Sequence, residues 1–92
     1  MDEALVLASV DISRPYLATR LNPEEEERGF SPTLANQFLR ALSQSLEATI
    51  HLQQLAGINS HHVIEAGFKA LGISLQKALA ESNRLESTKG EL

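Results

Sequence analysis

Two stretches of this sequence carry apolar residues at helical spacing, and they constrain the fold more than any other feature. Leu34, Ala35, Phe38, Leu42 and Leu46 recur along one side of residues 32–47. Ile64, Phe68, Leu71, Leu75 and Leu79 (or Ala78) do the same over residues 61–80. Each stripe predicts an amphipathic helix that must bury one face against another element. Ser31 followed by Pro32 is a start signal for the first helix, a capping hydroxyl ahead of a first-turn proline. Ser60 is the expected cap of the second.

The cover for those faces must come from shorter runs. Residues 5–12 (LVLASVDI) read as a strand, and residues 16–21 as a second. The Arg14-Pro15 break between them predicts a hairpin, because Pro15 has no N–H for a ladder. Residues 22–30 are a polar loop in which a short third strand is left open. Residues 49–55 alternate and read as a further strand, and residues 56–59 as a turn. Beyond Glu81 the chain becomes polar, and Ser87, Thr88, Lys89 and Gly90 read as a tail without periodicity. The order β-β-(β)-α-β-α predicts an α+β fold, a two-layer α/β sandwich with both helices on one face of one sheet.

With 92 residues, the chain has room for one domain, residues 1–92, and a modest core. No cysteine is present, which excludes a disulfide scaffold, a thiolate zinc site and a cysteine nucleophile. The formal net charge is −4, and the eight Lys and Arg residues form no run, so no nucleic-acid footprint is visible. No apolar run approaches the roughly 18 residues of a membrane helix. The acidic start, Met1-Asp2-Glu3-Ala4, is unlike a secretory signal, and the expected compartment is cytoplasmic. The Glu24–Glu27 block reads as a solvated loop.

The sharpest chemical feature is Asn59-Ser60-His61-His62-Val63-Ile64-Glu65, with Lys69 one turn on. On a helix Glu65 lies about 40° from His61 and about 60° from His62, with Lys69 between Glu65 and His62. Two imidazoles and a carboxylate suit a divalent ion that takes N and O ligands. Adjacent histidines diverge by about 100°, so each would serve a different ion, and the missing ligands must come from elsewhere. Spacing alone does not separate such a ligand set from surface imidazoles. His51, alternating with apolar residues on a strand, reads as structural. Arg14, Lys69, Ser87 and Lys89 offer donors suited to a phosphate, though nothing in their spacing makes them converge.

Taken together, Met1-Asp2-Glu3-Ala4-Leu5, Arg14-Pro15-Tyr16-Leu17, Leu55-Ala56-Gly57, the Asn59–Ala66 block with Phe68-Lys69-Ala70, and Ser87-Thr88-Lys89-Gly90 strongly resemble the C-terminal half of the imidazoleglycerol-phosphate dehydratase family. The resemblance spans essentially the whole chain. It implies a half-domain with a left-handed crossover, of a type also found in a small-subunit ribosomal protein. It implies a hydro-lyase of histidine biosynthesis, in cytosolic oligomers, that removes water from imidazoleglycerol phosphate to give imidazoleacetol phosphate. A two-manganese (Mn²⁺) site would form between subunits. Residue by residue, it implies metal and catalytic roles for His61, His62 and Glu65, and substrate-phosphate contacts for Arg14, Lys69, Ser87 and Lys89, with Thr88 in the same segment.

Departures accompany the likeness. Gln37 stands where the family carries a further metal-binding histidine, Glu86 replaces the usual proline before Ser87, and the loop before Arg14 lacks a glycine. The N-terminal half, which would bring a second His-His-x-x-Glu helix, is absent from the sequence. Three readings follow: a dehydratase half that works only with an N-terminal half or as a homo-oligomer, and is inactive alone; a self-associating module that takes metal or phosphate without turnover; and an assembly protein with no ligand.

Overall fold

The computed structural model describes residues 2–90, with side chains through residue 84. Its elements run β1 (Leu5–Ile12), β2 (Tyr16–Arg20), α1 (Pro32–Leu46), β3 (Ala48–Ala56) and α2 (Ser60–Gly90). They form an α+β fold, a three-stranded sheet with two helices on one face, as the sequence predicts.

The expected hairpin is not there. The strand order is β1-β3-β2, so β3 lies between the two strands read as partners. β1 runs antiparallel to β3, with Ser9 opposite His51 and Ile12 opposite Ala48. β2 runs parallel to β3, with Tyr16 opposite Thr49 and Arg20 opposite Gln53. Residues 13–15 must therefore cross two strand spacings, about 9.6 Å, over the start of β3. Thr49 Oγ1 pins that crossing by donating to the Arg14 carbonyl at 2.8 Å. Local sequence marks Pro15 as a break, but strand order depends on a segment more than thirty residues later.

Alternation divides the sheet into two faces. Val6, Ala48, Ile50 and Leu52 point into the core and meet Leu39, Val63, Ala66 and Leu71 of the helices. Leu5, Leu7, Tyr16, His51 and Leu55 point the other way and are exposed. Along α1 the buried line is Ala35, Leu39 and Ser43. This corrects the predicted stripe: Leu34 and Phe38 are 58% and 55% exposed, while Leu39 is fully buried. Ser43 is tolerated in the core because its hydroxyl lies 2.7 Å from the Ala48 carbonyl and 3.2 Å from that of Tyr16. On α2 the stripe ends on the partly buried Ala78 rather than on Leu79, which faces outward, and Val63 and Ala66 take core positions.

α1 is capped by Ser31, whose Oγ accepts from Thr33 N, with Pro32 in the first turn. It ends at Glu47, which adopts a left-handed conformation (φ 52°, ψ 51°) and leads directly into β3. Gly57, at φ +145°, makes the turn from β3 to α2; a Cβ there would sit 2.5 Å from Val63 Cγ2. The helix cap of α2 is Asn59, not the expected Ser60: its Oδ1 accepts from His61 N at 2.9 Å and His62 N at 3.3 Å. α2 continues to Gly90 rather than giving way to a tail after Glu81. Its 31 residues make about 46 Å at 1.5 Å per residue, longer than the sheet beneath it. Among the described residues no helix is long and apolar enough to cross a membrane.

Candidate metal centre at the start of α2

The first turn of α2 is held in place by the loop that precedes α1. Only one bridge, Glu25 with Asn59, fills the position left open for a third strand. Glu25 N donates to the Ile58 carbonyl at 2.8 Å, and Ser60 N donates to the Glu25 carbonyl at 2.7 Å. The Ser60 hydroxyl, fully buried, accepts from Glu27 N at 2.5 Å. Ser60 thus anchors the loop, which is why the cap falls to Asn59.

From this fixed turn His61 projects at the protein surface. Its Nε2 lies 3.2 Å from Glu65 Oε2, and Glu65 Oε1 lies 3.8 Å from Lys69 Nζ. These are the i, i+4 contacts that the spacing predicts. Its Nδ1 lies 3.5 Å from Glu27 Oε2, and its ring stacks on Phe30, with centroids 3.9 Å apart and planes 13° apart. His62 turns elsewhere. Its Nδ1 is paired with Glu3 Oε1, and the two imidazole centroids stand 5.9 Å apart at 47°. Glu3 Oε2 also accepts from Ile58 N at 2.8 Å. That backbone hydrogen bond, and then the one with His62, hold the Glu3 carboxyl below the usual glutamate range.

Two donors bound side by side to one ion at about 2.1 Å each stand about 3.0–3.4 Å apart. The 3.2 Å between His61 Nε2 and Glu65 Oε2 fits that edge, and the N/O donor set fits a divalent transition ion. Among the described residues no three His, Asp or Glu side chains converge on one point. The chain therefore offers a pair of ligands, not a closed site. Beside it, Gly29, Phe30, Leu34, Phe38, Ile64 and Phe68 line an apolar groove of about 510 Å³ whose lip is His61 and Glu65.

The predicted phosphate group is not assembled at this end. Arg14 lies exposed at the crossing beside Thr49, while α2 starts beyond the other end of β3, some seven residues or about 23 Å away. Lys69 is on the His61 side, 67% exposed at its side chain. The side chains of Ser87, Thr88 and Lys89 lie outside the described residues. Along α2, Ser87 is eighteen positions beyond Lys69, about 27 Å at helical rise. Gln37 is exposed on α1, and His51 lies on the open sheet face, away from α2.

The contacts of Glu3, Glu27, Phe30 and Asn59 at this site are not readable from the sequence. Asn59 had the signal of a capping residue next to Ser60. Glu27 was hidden in a block that reads as solvated, and Glu3 and Phe30 meet their histidines only through tertiary packing.

The profile of the imidazoleglycerol-phosphate dehydratase family matches residues 1–75. The chain is 53% identical to the imidazoleglycerol-phosphate dehydratase of Pyrococcus furiosus, with all of this chain and 53% of that protein covered. It is 50% identical to that of Thermoanaerobacter pseudethanolicus, over all of this chain and 50% of the relative. The crystal structure of the Pyrococcus furiosus protein superposes with a TM-score of 0.80 at 51% identity, covering 82% of this chain and 43% of that one. That of the Staphylococcus aureus protein gives 0.69 at 43% identity, covering 76% and 42%. The chain spans about half the length of the curated relatives it matches.

Proposed function

The chain belongs to the imidazoleglycerol-phosphate dehydratase family, and on that premise we propose that it serves as one half of a dehydratase. The reaction is loss of water from imidazoleglycerol phosphate to give imidazoleacetol phosphate, in histidine biosynthesis. His61 and Glu65 supply two ligands to one Mn²⁺, and His62 supplies one ligand to a second. When bound, such ions act as Lewis acids toward an imidazole substrate. The chain's own residues do the rest: Glu3 orients His62, and Lys69 places a positive charge beside the ligand pair for the substrate phosphate.

The observation that carries this reading is the division of the candidate residues between two ends of the sheet. His61, Glu65 and Lys69 share one end, and Arg14 sits at the other. A small phosphate ester cannot span the roughly 23 Å between them. A complete site therefore needs Arg14 from a second half or a second copy, and the chain alone is inactive.

The test is a dehydration assay with Mn²⁺, on the chain alone and on the chain co-expressed with the N-terminal half of the Pyrococcus furiosus relative. Turnover only in the complex is expected, lost in both His61→Ala and Arg14→Ala. A folded complex without turnover would favour the second reading, a self-associating module that takes metal without catalysis. The exposed Gln37, where the resemblance places a further metal-binding histidine, speaks for that alternative.

A further inference from the structure

Why His61 presents Nε2 rather than Nδ1 to Glu65 is not decided by its own helix. An imidazole on a half-exposed helix turn has several rotamers and two tautomers available to it. Here two contacts from the loop before α1 reduce that freedom. The loop backbone is tied at Glu25 N to Ile58 O, at Ser60 N to Glu25 O and at Glu27 N to Ser60 Oγ. Two of these bonds end on Ser60, the residue next to His61, so the loop and the ring share one frame. From that frame Phe30 lies flat against the imidazole at 3.9 Å and 13°. Glu27 places a carboxylate oxygen 3.5 Å from Nδ1.

We propose that Phe30 and Glu27 are positioning residues that clamp His61 as a metal ligand: Phe30 fixes the ring plane, and Glu27, 3.5 Å from Nδ1, stands as the acceptor for an Nδ1 proton once Nε2 is given to an ion beside Glu65. This rests on the reading of His61 and Glu65 as a ligand pair. Its physical basis is general, since a ligating histidine is oriented by the acceptor on its other nitrogen, and loss of such an acceptor typically weakens metal binding by about 10–100-fold. The clamp also gives a role to Glu27, one member of an acidic block that otherwise reads as solvated surface.

The experiment uses the full chain, with Mn²⁺ alone as the probe. Calorimetry measures affinity, and ¹H NMR of the metal-free protein reads the ring-current shift of the His61 ring protons. Phe30→Leu is expected to remove the ring-current shift and weaken Mn²⁺ about 10-fold, and Phe30→Tyr to restore both. Glu27→Ala is expected to weaken Mn²⁺ similarly, and Glu27→Gln to retain most of the affinity because its amide oxygen still accepts. A wild type that binds Mn²⁺ while Phe30→Leu and Glu27→Ala match it in affinity overturns the clamp alone. A wild type with no measurable Mn²⁺ affinity overturns the ligand reading, and the clamp with it. Loss of affinity in Phe30→Leu that Phe30→Tyr does not restore, with unchanged His61 signals, marks a folding defect and counts against the clamp.

Discussion

The two ends of the sheet are built on different terms. At the end where α2 begins, a loop, a helix cap and the residues before β1 interlock: Asn59 caps, Ser60 is buried under Glu27, and Glu3 ties His62 to Ile58. At the Arg14 end the chain makes a short crossing with one side-chain anchor among the described residues, Thr49. The first end is preorganised for precise donor placement, and the second offers an accessible cation. Under the proposed function the first end holds ions and the second meets a partner.

Four measurements break or sharpen that contrast. The largest effect is expected on metal affinity. His61→Ala should weaken Mn²⁺ binding at least about 100-fold by calorimetry, beyond the loss of an orienting neighbour, whereas Arg14→Ala leaves it unchanged. Equal effects would erase the distinction between the ends. Next is Gly57→Ala, which forces a Cβ into Val63 at a positive φ. We expect a loss of about 2–3 kcal/mol in urea unfolding; at Gly29, also of positive φ but with open space around it, alanine should cost less. Third, Asn59→Ala should cost about 1 kcal/mol by the same measurement, the usual worth of a cap.

The smallest effect is on pH dependence. The folded protein holds the Glu3 carboxyl below its unfolded value, so its contribution is present above about pH 4.3 and fades as pH falls through the depressed folded value. Thermal unfolding from pH 7 down to pH 3 should show a shallower acid decline in Glu3→Gln than in the wild type. Parallel curves would mean that Glu3 does not couple to this end.

What the sequence disclosed follows the range of the interaction. The start of α1, the strand over residues 49–55 and the His61–Glu65–Lys69 line are legible, because each is a relation within a few residues. The expected β1–β2 hairpin gives way because the intervening strand arrives much later in the chain. Leu39 stays hidden because the line it shares with Ser43 looks polar until the Tyr16 and Ala48 carbonyls are placed beside that hydroxyl. The partners of His62 and of the His61 ring, at Glu3 and Phe30, are 59 and 31 positions away, beyond any periodicity.

Glu47 has a consequence of its own. With one left-handed residue between α1 and β3, the joint has no slack, so adding or deleting a residue there would shift every pairing of β3 with both neighbours and turn its inward side chains outward. Length can vary instead in the eleven residues from Leu21 to Ser31, which join β2 to α1. That segment also carries Glu27 and Phe30, so natural changes in loop length would retune the grip on His61 while leaving the strand register untouched.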